Sequence, residues 1–256
     1  MPPDPDISHR LDLTDVTTLL CDADGTLFPS EGPAFEASVG VTNRLLAELG
    51  SSRAYTADGL RRVSLGRNFR SLATDLAHEL GVPLTAEELQ DWVVEETVVV
   101  TRHLSAVLRA DEAARSALAD LASRYRLAVV SSSALARLAA CFTATGLDPM
   151  FPVADRFSAQ DSLATPTSKP DPAVYLHALR RLGVVAEHAV ALEDAVAGVA
   201  SAVGAGIATI GNLAYVPADE RSGREAELYA AGATAVVGDW RELRDLLCPT
   251  ADGAVR

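Results

Sequence analysis

The sequence predicts an α/β fold: a doubly wound parallel sheet, interrupted after its first strand by an all-helical insert. Three observations carry this. From Asp111 onward, short apolar runs alternate with amphipathic helical patterns, as in parallel strands linked by helices. Ahead of that stretch stands one isolated strand-like run, Val16–Asp24, followed by helical pattern alone from Ala34 to Ala110. The apolar runs also end in a recurring set of polar groups, as expected where a sheet carries its ligand at the carboxyl ends of its strands.

The elements follow in order. Residues 1–15 are Pro- and Asp-rich and read as a loose tail. "VTTLLCDAD" (Val16–Asp24) is a short apolar run ended by carboxylates, the pattern of a buried parallel strand. "AFEASVGVTNRLLAELG" (Ala34–Gly50) is amphipathic and stops on glycine, and Asn68–Gly81 repeats that design. The next helix, Thr85–Leu108, opens on Thr85 and Glu88, a capping-box spacing. Beyond it, a helix from Asp111 leads to the strand Arg126–Ser133 and a helix from Ala134 to Gly146. Pro172 opens a helix ending at Gly183. Then "HAVALED", "GIATIGN" and "TAVVGD" read as strands, separated by the helices "AVAGVASAVGAG" and "EAELYAAGA" and followed by "WRELRDLL". Ser158–Pro172 is the longest polar loop. The resulting division is a tail (1–15), a core domain (16–33 and 111–250) and a helical cap domain (34–110).

Composition narrows the function. With 256 residues and 48% hydrophobic content, the chain can bury a substantial core. No apolar run approaches the ~18 residues that span a bilayer. The N-terminal residues lack a signal-peptide pattern, so the expectation is a cytoplasmic protein. A net charge of -13 disfavours nucleic acid and anionic membranes as partners. It does not exclude an anionic metabolite, since a metal and a few basic groups reverse the local field. Oligomeric state is left open between monomer and homodimer. The three cysteines, Cys21, Cys141 and Cys248, are scattered and fit neither a disulfide framework nor a zinc site. The chain has 21 arginines and a single lysine, Lys169, which suggests a position where arginine will not serve.

Chemistry collects at the strand ends. The first strand ends in Asp22 and Asp24, one residue apart; another ends in Ser131, followed by Ser132 and Ser133; a third ends in Glu193 and Asp194. Lys169 lies in the polar loop. If these strands are adjacent and parallel, one crevice gathers carboxylates, a hydroxyl and an ammonium. Buried carboxylates held that close repel each other, and a cation would offset the repulsion. Mg²⁺ suits this set, because it takes oxygen ligands and is bound by one or two carboxylates plus a substrate phosphate. A carboxylate can attack phosphorus, and a second can protonate the leaving oxygen and then deprotonate water. Some of these residues have simpler roles open to them: Ser131–Ser133, Glu193 and Asp194 could also cap the helices that follow.

"DADGTL", "VVSSS", "SKPDPAVY" and "ALEDAVAGVASAVGAG" together resemble the four motifs of the haloacid dehalogenase superfamily, in that family's order, over Val16–Asn212. The helical insert falls where the family carries a C1-type cap. The resemblance is to the phosphatase and sugar-phosphate mutase branch. It implies a Rossmann-like core, Mg²⁺ as cofactor and an aspartyl-phosphate intermediate. Residue by residue, it implies Asp22 as nucleophile and metal ligand. Asp24 becomes the general acid/base, its backbone carbonyl also reaching the metal. Ser131 holds the phosphoryl group, and Ser132 lies beside it on the substrate side. Lys169 steadies Asp22 and phosphate, and Asp194 ligates Mg²⁺ with support from Glu193. In the cap, Arg67, Asn68 and Arg70 of "LGRNFRS" could reach a second polar part of the substrate; a solvated helix start is the simpler account. Ser30 and Glu31, just past the first motif, read as hinge, substrate contact or ordinary turn. Expected is a Mg²⁺-dependent phosphomonoesterase acting on a small phosphorylated metabolite such as a sugar phosphate. The alternatives are a β-phosphoglucomutase-like mutase and, further off, a non-catalytic metabolite-binding protein. Asp24 argues against a dehalogenase, and the lysine-free cap against a phosphonoacetaldehyde hydrolase.

Overall fold

The computed structural model describes residues 12–65 and 67–249; the predicted tail lies largely outside the described residues. Six strands form one parallel sheet: β1 (Thr18–Cys21), β2 (Arg126–Ser131), β3 (Arg156–Ser158), β4 (Ala189–Glu193), β5 (Ala208–Asn212) and β6 (Ala235–Val237). Their spatial order is β3-β2-β1-β4-β5-β6. The chain moves outward from β1 to β2 and β3, then crosses back to lay β4 on the other side of β1. That reversal opens a crevice at the carboxyl ends of β1 and β4, where doubly wound sheets bind ligands. All four residues of β1 are buried, as a central parallel strand requires.

Register decides what meets in the crevice. Cys21 pairs with Val129 on one side and Leu192 on the other. The next residue, Asp22, therefore stands level with Val130 and Glu193. Its amide donates to the Leu192 carbonyl at 2.9 Å, so the nucleophile candidate is still anchored to the sheet.

Between β1 and β2 run five helices: α1 (Glu31–Glu48), α2 (Ala57–Ser64), α3 (Phe69–Leu80), α4 (Ala86–Val107) and α5 (Glu112–Ala122). Val41, Leu45, Leu60, Leu72, Leu76 and Val93 from α1–α4 form an apolar cluster of their own. Helix α4 serves two cores. Val93 joins that cluster, while Val100 and Leu104 pack into the main core with Leu19 and Cys21 of β1. Its start carries the full capping box, with Thr85 and Glu88 bonding reciprocally. The remaining helices are α6 (Leu135–Thr145), α7 (Ala173–Leu182), α8 (Val196–Gly204), α9 (Arg221–Ala230) and α10 (Trp240–Leu247). No helix among the described residues is long and apolar enough to cross a membrane.

Two elements escape the sequence pattern. β3 is three residues long, too short to show a period, and its Arg156 is buried. That guanidinium is satisfied by Asp148 at 2.7 Å and by the Phe151 carbonyl, and lies 4.2 Å over the Phe142 ring. Helix α2 contains glycine and two arginines, and buries only Leu60 and Ser64. Thr56 caps it by accepting from the Gly59 amide.

Candidate active site

The site is built where β1, β2 and β4 end. Asp22 follows β1 and is 7% exposed; Lys169 is 1% exposed, beneath it. Lys169 Nζ donates to Asp22 Oδ1 at 2.5 Å, to Glu193 Oε1 at 2.6 Å and to the Val130 carbonyl at 2.8 Å. All three hydrogens of the ammonium are thereby used, one on each of three strand ends. Tyr175 of α7 also donates its hydroxyl to Glu193 Oε1, and Lys169 lies 5.3 Å from the Tyr175 ring centre.

One glycine is essential to this packing. A Cβ on Gly198 of α8 would fall 1.8 Å from Glu193 Oε2, so the carboxylate occupies the space that a side chain would need. Gly198→Ala should push Glu193 off Lys169 and lower turnover by about 10–100-fold, the scale of a misplaced catalytic group. Circular dichroism should show the fold retained. Unchanged turnover would mean that Glu193 does not need this seat.

Asp194 follows directly, its Oδ1 accepting from Thr26 Oγ1 at 2.7 Å and its backbone carbonyl from Arg224 at 3.2 Å. Oxygens of Asp22, Glu193 and Asp194 lie within 4.8 Å of one another, all three residues buried. An all-carboxylate oxygen set fits a hard divalent cation such as Mg²⁺. The electrostatics agree. Burial lifts the Asp22 carboxyl to about 8, with Lys169 pulling against it and Glu193 adding to it. Burial, then Glu31 and Asp22, push Asp194 well above the ordinary range. Glu31, at the start of α1, rises to about 7 through burial, only partly offset by Arg224. Lys169 and Arg224 do not balance the four carboxylates Asp22, Glu31, Glu193 and Asp194.

Asp22 and Glu31 bind protons more tightly in the folded chain than in the unfolded one. Between the ordinary carboxylate range and about pH 8, the folded state therefore holds excess protons, and stability falls as pH rises. In chelator, the melting temperature should drop by roughly 5–10 °C from pH 5 to pH 8. Magnesium should recover most of that loss at pH 8 and do little at pH 5, where protons compete for the ligands. A flat profile in chelator, or an equal magnesium effect at both pH values, would refute the account.

Asp24 lies in different surroundings. Its carboxylate is outside the metal-type cluster. Oδ1 accepts from Ser30 and from Arg137 Nη2 (3.1 Å), and Oδ2 from Ser133 Oγ (2.6 Å). Burial alone would raise its pKa, but Arg137, Ser133 and Ser30 more than offset that and hold it below the ordinary value. Two aspartates one residue apart are thus driven in opposite directions, Asp22 toward the acid form and Asp24 toward the carboxylate, the form in which it can accept a proton.

A model of the haloacid dehalogenase-like hydrolases matches residues 16–206. The chain belongs to that family. Among curated relatives, the phosphorylated carbohydrates phosphatase of Thermotoga maritima is 31% identical over 220 residues, 86% of this chain and 93% of its own length. Protein CbbY of Cereibacter sphaeroides is 30% identical over 204 residues, 76% of this chain and 83% of its own. A crystal structure of CbbY from Rhodobacter sphaeroides in complex with xylulose-(1,5)-bisphosphate shares the fold, with a TM-score of 0.68 at 24% identity over 89% of this chain and 96% of that one.

In this hydrolase, a cavity lies over the strand ends. Asp22, Asp24, Ser131, Ser132, Lys169, Glu193 and Asp194 all line it, so the residues singled out at the strand ends meet in one place. The Ser131 hydroxyl accepts from the Ser133 amide at 3.0 Å. The Ser132 hydroxyl accepts from the Lys169 amide at 3.2 Å, which ties the second motif to the lysine loop.

The helical side needs correction. Asn68 and Arg67 line the cavity, but Arg70 does not. Its guanidinium turns to Gln90 of α4, because helix geometry sends position 70 away from the face that carries Phe69 and Leu72 inward. Asn68 caps α3 through Ser71 and donates to the Thr167 carbonyl at 2.7 Å, pinning α3 to the lysine loop. Arg67 is held by Ser71 and by Asp75 at 2.5 Å.

Sequence reading did not assign roles to Arg137 and Glu96. Both line the cavity. Glu96 falls on the buried stripe of α4 with Val93, Val100 and Leu104, and Arg137 lies four residues before buried Cys141 on α6. A charge on an apolar stripe was the available signal. Glu31, read as hinge, substrate contact or turn, also lines the cavity.

Proposed function

We propose that this hydrolase is a Mg²⁺-dependent phosphomonoesterase that cleaves a phosphorylated carbohydrate through a phosphoryl group carried on Asp22. The observation that supports this most is the Lys169 contact, which fixes Asp22 Oδ1 at 2.5 Å beside a cavity floored by two further carboxylates. In the first step, an Asp22 oxygen attacks phosphorus and the bond to the sugar oxygen breaks. The departing oxygen takes a proton from Asp24. In the second step, water attacks the phosphoryl group and gives its proton to the Asp24 carboxylate. The bond to Asp22 then breaks, returning its electron pair to Asp22. A cation held by Asp22 and Asp194, with the Asp24 carbonyl and Glu193 in support, would supply neutralising charge to the phosphoryl oxygens. Ser131 supplies a donor to the same oxygens as charge shifts, while Lys169 holds Asp22 in place and adds positive charge beneath the site.

The carbohydrate assignment draws on the name of the Thermotoga relative and on the cavity wall. Ser38, Ser64, Arg67, Glu96 and Thr97 offer hydroxyl partners, while Phe35 and Phe69 offer apolar faces. The test is phosphate release from sugar phosphates, nucleotides and small phosphorylated acids, with magnesium or chelator. Magnesium-dependent release, greatest for a sugar phosphate, is expected. No release, but interconversion of hexose phosphate isomers, would replace this reading with a mutase. Neither activity would leave a binding protein.

A further inference from the structure

The Asp24 carboxylate accepts three donors, and only one is charged. Arg137 reaches it from α6, a helix of the sheet domain. The guanidinium side chain is 14% exposed, and its Nε is buried without a hydrogen-bond partner. A second carboxylate shares this wall of the cavity: Glu96 of α4, 8% exposed, lines it together with Arg137 and Asp24, and its charge favours the charged guanidinium. Arg137 therefore sits between two carboxylates, one on the catalytic loop after β1 and one on the helix that spans both apolar clusters. A largely buried guanidinium bonded to a carboxylate has little rotational freedom, and it passes that restraint to the group it contacts.

We propose that Arg137 is a positioning residue, assisted by the neighbouring Glu96 charge, that directs the Asp24 carboxylate toward the water attacking the phosphorylated Asp22. This rests on the phosphatase reading above. The step served is the second one: the water proton passes to Asp24, the new P–O bond forms, and the Asp22–phosphorus bond breaks. Ser30 and Ser133 alone bond Asp24 without fixing its charge; Arg137 does both. Forming the phosphoenzyme from an ester whose leaving oxygen needs no proton makes no demand on Asp24.

The experiment uses 4-nitrophenyl phosphate with the full-length chain and Mg²⁺. Steady-state turnover and the acid-quenched fraction of phosphorylated enzyme together give separate rate constants for phosphoenzyme formation and hydrolysis. Arg137→Met should slow hydrolysis by about 10–100-fold, as loss of orientation does, and change formation by less than about threefold. The phosphorylated fraction should rise as turnover falls. Arg137→Lys, which keeps the charge but not the fork, should fall between. Glu96→Gln should slow hydrolysis by a smaller factor, and add nothing in the Arg137→Met background, since it acts through Arg137. Formation and hydrolysis falling together, hydrolysis unchanged, or additive losses in the double variant would each overturn the proposal. Failure of the phosphatase reading itself would appear earlier and separately, as wild-type chain that neither releases nitrophenolate nor becomes phosphorylated.

Discussion

Asp22→Asn should abolish phosphate release, with a loss of about 10⁴-fold or more, because an amide cannot form the phosphoryl bond. The loss is not expected to come from unfolding. Asp22 titrates near 8, so the metal-free chain at pH 7 holds it largely as the neutral acid, which an amide copies in shape and hydrogen bonding. The variant should therefore melt within about 2 °C of wild type in chelator, less than 1 kcal/mol for a chain this size. It should differ when magnesium is added. Wild type should gain stability, and the variant much less, having lost a charged ligand from the cluster of three. Full release by Asp22→Asn would remove Asp22 from the nucleophile role. A large drop in melting temperature in chelator would instead show that its charge matters to the fold.

The second large effect falls on Lys169. Its ammonium fills a slot between three strand ends, with acceptors at 2.5, 2.6 and 2.8 Å. A planar guanidinium is larger and spreads its donors over a fork, so Lys169→Arg should displace Asp22 or Glu193 despite keeping the charge. Activity should fall by about 10²-fold, the cost of a displaced nucleophile. Lys169→Met should do more harm to folding. It leaves Glu193 buried without its cation, and Asp22 too wherever it ionises, a change that destabilises by about 3–5 kcal/mol. Thermal melting at pH 5 and pH 8 separates the causes. If uncompensated charge is responsible, acid should partly rescue Lys169→Met, because protonating the two carboxylates removes the repulsion. Arginine supporting wild-type activity at this position would end the steric argument.

The lone lysine among 21 arginines was visible in composition, and its surroundings give the reason: three short acceptor distances suit a compact ammonium. The strand ends were equally legible. A parallel sheet gathers its carboxyl ends at one edge, so Asp22, Ser131, Glu193 and Asp194 converge once their runs are strands. Arg70 was misplaced for a corresponding reason. Sequence puts it near the start of α3 but does not say which face of that helix meets the cavity, and packing of Phe69 and Leu72 decides it.

Sequence alone determined the strand-helix alternation, the helical insertion after β1 and the chemical groups at the strand ends. Those depend on local period, capping and residue type, which act over a few neighbouring residues. Tertiary structure decided the rest: that β4 lies beside β1, that Gly198 gives Glu193 its space, and that Arg137 and Glu96, 41 positions apart in sequence, line one cavity with Asp24. The physical reason is range. Burial and Coulomb interactions depend on distance in space, and at Asp22 and Asp24 they move two neighbouring carboxyls in opposite directions.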